Sequence, residues 1–220
     1  MSAARTAILD RVRAAQRTAL IPGASDAGRV LSDPARSAAE PGAGRVLLDP
    51  AKLLAKFLAE LTALGVDSYV EFSAADVRER LRAIVGGKSV LAWGAGELPY
   101  DAGSVTADAA IGASARDVQA AAEIGVTGCD AAIAETGSLV VLSGPGKPRT
   151  ASLLPPIHAC IVRRDDLQPS MGEFFARRAD AIAAAACCTF ITGPSRTADI
   201  ELTLTLGVHG PGKVIVIVGP

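Results

Sequence analysis

Aromatic side chains are scarce: one Trp, two Tyr and five Phe make up 4% of 220 residues. A platform for stacking nucleic-acid bases is therefore not expected, and the core has to be built from Ala, Val, Leu and Ile. Neither sign of charge dominates. Lys and Arg number 22 against 23 Asp and Glu, for a formal net charge of −1, so nucleic acid and anionic membrane exert no general attraction. No apolar run approaches the roughly 20 residues that span a bilayer. The Ala/Arg-rich start, MSAARTAILDRVRAAQRTAL, lacks a continuous apolar h-region. A cytoplasmic protein with no membrane span and no nucleic-acid partner is expected.

Metal-ligating residues are few as well. The two histidines, His158 and His209, are isolated, and no H-E-x-x-H occurs, so a zinc site is not expected. Cys129, Cys160, Cys187 and Cys188 form no C-x-x-C pair and no spacing suited to an iron–sulfur cluster. Cys187 and Cys188 end an Ala-rich helix and enter an apolar strand, which suits reduced thiols packed as small hydrophobes. Neither metal nor cofactor is expected in this chain.

What is present is a full complement of core residues: 50% hydrophobic against 20% charged, the balance of a globular protein. Residues 3–20 have helix-forming composition, and residues 21–45 are a Gly/Pro/Ala-rich linker without apolar periodicity. From residue 46 onward helix and strand signals alternate. PAKLLAKFLAELTALG, SAADVRERLRAIVG, ARDVQAAAEI and GEFFARRADAIAAAA read as helices, with Pro50 in a first turn and Ser73 as a cap. VDSYVEF, KSVLAW, DAAIGAS and IHACIVRR read as strands, and CCTFITG and KVIVIVG as interior strands of a mostly parallel sheet. GVTGCDAAIAETGSLVVLSG gives two apolar strands around a hairpin-like turn. Together these predict a three-layer αβα domain at 46–220, with one antiparallel hairpin and an N-terminal helical arm. IELTLTL is ambiguous: its period-2 alternation favours a strand, whereas Asp199, Glu201 and Gly207 mark a helix start and stop.

Nucleotide fingerprints fail on spacing. GPGKPRT is not a P-loop, and WGAGELP has no third glycine where a dinucleotide turn needs one. Three other features carry chemistry. Glu135, at the tip of the turn Glu135-Thr136-Gly137-Ser138, is either a solvated turn residue or an acid, base or nucleophile beside the Gly137 and Ser138 amides. In TGPSRTADI a strand ends at Gly193-Pro194. Either Ser195 or Thr197 then caps a helix with Arg196 in solvent, or Ser195, Arg196 and Thr197 bind a carboxylate or phosphate at its start. His158 and His209 each sit near proline in a loop or strand edge. They are either structural or, with Arg149 and Lys147, part of a polar cleft for an organic acid.

The blocks GCDAAIAETGSLVVLSGPGKPRTASLLPPIH and TGPSRTADIELTLTLGVHGPGKV closely resemble the signatures of the LutC-type (YkgG-type) lactate-utilisation proteins, the LUD-domain family. The resemblance covers about residues 50–220. It implies a fold like that of the ribose-5-phosphate isomerase, glucosamine-6-phosphate deaminase and CoA-transferase group, with SRTADIELTLTLG as a helix aimed at a cleft. It also implies a part in oxidising L-lactate to pyruvate, with partner proteins that carry the iron–sulfur clusters. AETGSLV looks more weakly like the Glu-Asn-Gly motif of CoA-transferases, with Glu135 in the nucleophile's place and Thr136 replacing Asn.

Three functions follow as expectations. The first is an accessory protein or subunit of an iron–sulfur-dependent lactate-oxidising system, binding a small carboxylate or phosphate between the Glu135 turn and Ser195. The others are a transferase or isomerase using Glu135 and a non-catalytic organic-acid sensor. Whether the chain is itself an enzyme stays open, as does a homo-oligomer.

Overall fold

A computed structural model describes residues 49–197 and 205–220. The proposed arm at 3–20 and linker at 21–45 lie outside the described residues. Helix α1, Pro50–Leu64, begins where Asp49 accepts a hydrogen bond from the Ala51 amide at 3.0 Å, with Pro50 in the first turn. It ends at Gly65, whose φ of 75° only glycine adopts without strain. Phe57 and Leu61, four residues apart, form its buried stripe. Helix α2, Ala74–Val85, is capped by Ser73, which accepts from the Asp76 amide at 3.1 Å, and buries Val77 and Leu81.

These helices cover opposite faces of a five-stranded sheet. Its strands are β1 (Asp67–Val70), β2 (Val90–Ala92), β3 (Ile124–Gly128), β6 (Ile157–Arg163) and β11 (Lys213–Gly219), in the order β1-β11-β6-β3-β2. Every pairing in it is parallel. Successive side chains of a strand point to opposite faces, so β11 is apolar on both. Ile215 and Ile217 pack with Val77 and Leu81, while Val214, Val216 and Val218 pack with Phe57 and Leu61. Near-continuous apolar strands are what a sheet covered on both sides requires.

A second sheet, ordered β7-β4-β5-β8, contains β4 (Ala131–Ile133), β5 (Ser138–Ser143), β7 (Leu167–Gln168) and β8 (Cys187–Ile191). The expected hairpin is its β4–β5 pair, antiparallel with Ile133 opposite Ser138. Ala132 and Leu139 face the α1 core, whereas Ala131, Ile133 and Val140 face Phe174. Phe174 belongs to α4 (Met171–Ala184), the helix that follows the short α3 (Arg116–Ala120). The α/β class and the mostly parallel sheet agree with the sequence reading.

Three elements differ from it. CCTFITG forms β8, which pairs antiparallel with β5 in the second sheet and is no interior strand of the parallel one. DAAIGAS contributes a single bridge, Ala110 to Leu91, because the chain turns at Gly112 and leaves the sheet. The helix expected for SRTADIELTLTLG does not begin at Ser195–Thr197. Arg196–Thr197 is strand β9, antiparallel to β10, Thr205–Leu206. Residues 198–204, with Asp199 and Glu201, lie outside the described residues.

Candidate functional site

The two sequence-predicted loops meet near the amino end of the parallel sheet. Glu135 is exposed on the β4–β5 turn, which fits a solvated turn residue and not a partly desolvated acid. Its amide donates to the Pro169 carbonyl at 3.1 Å. Beside it, the Thr136 and Ser138 hydroxyls are 2.7 Å apart, and Ser138 is also 2.7 Å from the Thr192 hydroxyl. Gly137 (φ 66°) and Gly193 (φ 80°) both crowd Leu64 at the end of α1. The Arg196 guanidinium donates to the Leu64 carbonyl, so it closes the carboxyl end of a helix. Thr197 pairs with Thr205.

Ser195 donates its amide to Pro211 and accepts from Gly207, both at 2.9 Å. Gly193, Ser195 and the exposed His209 line a cavity of about 190 Å³ beside Val214, near the start of β11. Glu135, Arg149 and His158 do not line it. Arg149 is exposed at the head of a 3₁₀ turn, Arg149–Ser152. His158 lies on the interior strand β6, fully buried, which corrects its placement in a loop or strand edge. Its Nε2 is 2.8 Å from the Thr127 hydroxyl, while Nδ1 has no partner among the described residues. Burial lowers its pKa to about 4. A neutral imidazole at physiological pH brings no charge to an anion.

A denser set of charges stands at the opposite end, where β2, β3 and β6 finish. Ligands of open α/β sheets bind outside the carboxyl ends of the strands. Here Trp93, Asp130 and Arg163, at or just beyond those three ends, line a cavity of about 240 Å³ together with Lys147, Asp166 and Arg178. Lys147 Nζ is 2.8 Å from Asp130 Oδ1, 3.9 Å from Glu97 Oε2 and 4.9 Å from the centre of the Trp93 ring. The other oxygen of Asp130 accepts the Leu142 amide at 2.8 Å, which fixes the carboxylate. Arg178 Nη2 is 4.0 Å from Asp166 Oδ1 and donates to the Asp130 carbonyl at 3.4 Å. Arg163, exposed at the end of β6, forms no salt bridge with a described residue.

Asp166 stands out by its proton affinity. Burial raises its pKa, against the opposing pull of Arg163 and Arg178. Cys129 also lines this cavity. Its hydrogen bond with Cys160, together with burial, pushes its pKa well up, so the sulfur is a thiol and a poor nucleophile at neutral pH. Among the described residues no group of three or more His, Cys, Asp and Glu side chains is arranged to hold a metal ion. No described helix is long and apolar enough to cross a membrane.

Of this set the sequence reading weighed only Lys147. Asp130 stands in the family-like block GCDAAIAETGSLVVLSGPGKPRTASLLPPIH, and Glu97, Arg163, Asp166 and Arg178 lie outside both such blocks. The available signal was positional, since Asp130 and Arg163 fall at the ends of apolar strands where an α/β sheet opens to ligands.

Residues 54–218 match the family model of the LUD domain. Lactate utilization protein C of Geobacillus sp. (strain WCH70) is 34% identical over 170 residues, which cover 68% of this chain and 70% of that protein. The protein of the same name from Anoxybacillus flavithermus is 32% identical over 162 residues, 69% of this chain and 73% of its own length. The crystal structure of a DUF162 family protein from Deinococcus radiodurans is similar with a TM-score of 0.65 at 26% identity, over 79% of this chain and 99% of that one. Sequence and fold agree: the chain belongs to the LUD domain family.

Proposed function

We propose that this protein serves lactate utilisation as an accessory or subunit of an iron–sulfur-dependent system that oxidises L-lactate to pyruvate. In this reading it holds the small carboxylate at the carboxyl ends of β2, β3 and β6. The names of its relatives support the process. The site is supported by one observation above all: three cations, Lys147, Arg163 and Arg178, converge on one cavity with the half-buried Asp166. Lys147 is held by the Asp130 carboxylate at 2.8 Å and Arg178 by the Asp130 carbonyl at 3.4 Å, which pre-orients them. Arg163 is the cation left for a ligand, and a guanidinium offers the planar pair of donors that a carboxylate accepts. Asp166, with its raised pKa, is the group best suited to exchange a proton with a bound hydroxy acid. The clusters of such a system would be carried by partner chains.

Calorimetric titration of the full chain with L-lactate and pyruvate tests the site. Arg163→Ala should weaken binding at least about tenfold, the loss of one charge-assisted contact. Equal affinity in the variant, or no binding by the native protein, would overturn the assignment. Loss of growth on lactate after deletion, and co-purification with cluster-bearing proteins, test the process separately.

A further inference from the structure

A second cavity, of about 320 Å³, lies beside the charged one. Consecutive residues line the two: Trp93 and Lys147 face the charged cavity, and Gly94 and Gly146 face this one. Among the described residues its walls hold no charged side chain. They are four glycines (Gly94, Gly112, Gly144 and Gly146) with apolar neighbours that include Ile111 and Pro148. The glycine loops that fail separately as nucleotide fingerprints are joined here, the Gly94 amide donating to the Gly146 carbonyl at 2.7 Å.

Two of the glycines are needed by the fold. At Gly146 φ is 72°, and a Cβ would stand 2.9 Å from Glu97 Cγ; at Gly112 it would stand 2.8 Å from Pro148 Cβ. The other two are not. A Cβ at Gly144 meets nothing within 4 Å, and at Gly94 it meets only ordinary contacts from 3.5 Å outward. Neither has a positive φ. Backbone strain and packing thus leave the missing side chains unexplained, and what the absence preserves is open volume. The size falls within the range of small-molecule sites, about 300–1,000 Å³. The methyl group of lactate would leave most of it empty.

We infer that this cavity receives the uncharged tail of a 2-hydroxy or 2-oxo acid longer than lactate, whose carboxylate is held in the adjacent charged cavity. The inference rests on the carboxylate site proposed above. The tail would lie over Gly94 and Gly144 against Ile111, where a chain or flat ring replaces water on an apolar wall.

The test is a calorimetric series on the full chain with L-lactate, 2-hydroxyhexanoate and 3-phenyllactate. Each buried methylene should tighten binding about fourfold, so 2-hydroxyhexanoate should bind tens of fold more tightly than lactate. Gly144→Leu, which fills the cavity from a position with room, should abolish that gain and leave lactate affinity within about twofold. Ile111→Ala, which only trims the wall, should remove part of the gain, and melting midpoints of both variants report that they are folded. Equal affinity for the three acids, or a gain that survives Gly144→Leu, would overturn the inference while the carboxylate site stands. Failure of every acid to bind, lactate included, would remove both.

Discussion

The Ser138 hydroxyl lies 2.7 Å from that of Thr192, across 54 residues of sequence. This contact ties the β4–β5 turn to the loop after β8 and continues to Thr136 at 2.7 Å. Ser138 is buried, while Thr136 is partly exposed and Thr192 exposed. Removing Ser138 Oγ breaks both contacts but leaves partners that water can reach, a loss of about 0.5–1.5 kcal/mol. Ser138→Ala should therefore lower the urea midpoint at an unchanged slope. A double-mutant cycle with Thr192→Val should show coupling between the sites; additive losses would mean that the contact contributes nothing.

Glycines 137 and 144 should respond oppositely to alanine. At Gly137 the φ of 66° and the Glu60 and Leu64 side-chain carbons 3.0 Å from a would-be Cβ make substitution costly, by about 1–2 kcal/mol or more. At Gly144 nothing lies within 4 Å, and restricting the unfolded chain can stabilise by about 0.4–1 kcal/mol. Equilibrium denaturation of the two single variants makes the comparison.

His158 should make stability fall with acidity. Its folded pKa is lowered to about 4 from 6.5. Above pH 6.5 both states are neutral and its contribution is constant. Between 6.5 and 4 the unfolded chain takes up a proton that the folded protein refuses, so stability declines; below 4 both are protonated and the decline ends. The span corresponds to about 3 kcal/mol. His158→Gln keeps a polar partner for Thr127 without titrating. Its stability difference from the native protein should shift by that amount between pH 7 and pH 4, as read from denaturant midpoints.

Arg196 and Arg163 should separate stability from binding. Arg196→Ala removes the guanidinium that closes α1 at Leu64 and should lower the melting temperature with lactate affinity intact. Arg163→Ala, at an exposed position, should lose affinity at least about tenfold with little change in melting temperature. The reverse pattern would place the anion at the amino end of the sheet.

Local chemistry was legible in the sequence wherever it acts over a few residues. Pro50, Gly65 and Ser73 mark helix ends because caps are satisfied within one turn. The apolar β6 and β11 declare a sheet covered on both faces, since only such strands need apolar residues in succession. Pairing partners were not legible. β8 has the composition of an interior parallel strand, yet joins β5 antiparallel, because register and partner depend on chain segments tens of residues away. Arg196–Thr197 shows the same limit: it pairs antiparallel with Thr205–Leu206, a partner that no local signal names.

The sequence by itself determined the class of fold, an apolar parallel sheet between helices, because apolar periodicity and caps are encoded within single elements. It also determined that Glu135 sits on a turn between two apolar strands. Only the tertiary structure decided that His158 is enclosed, that Arg196 serves a helix end, and that Lys147, Arg163, Asp166 and Arg178 share one cavity. These residues come from three separate segments, and the field they create depends on distances across the sheet, which no spacing along the chain specifies.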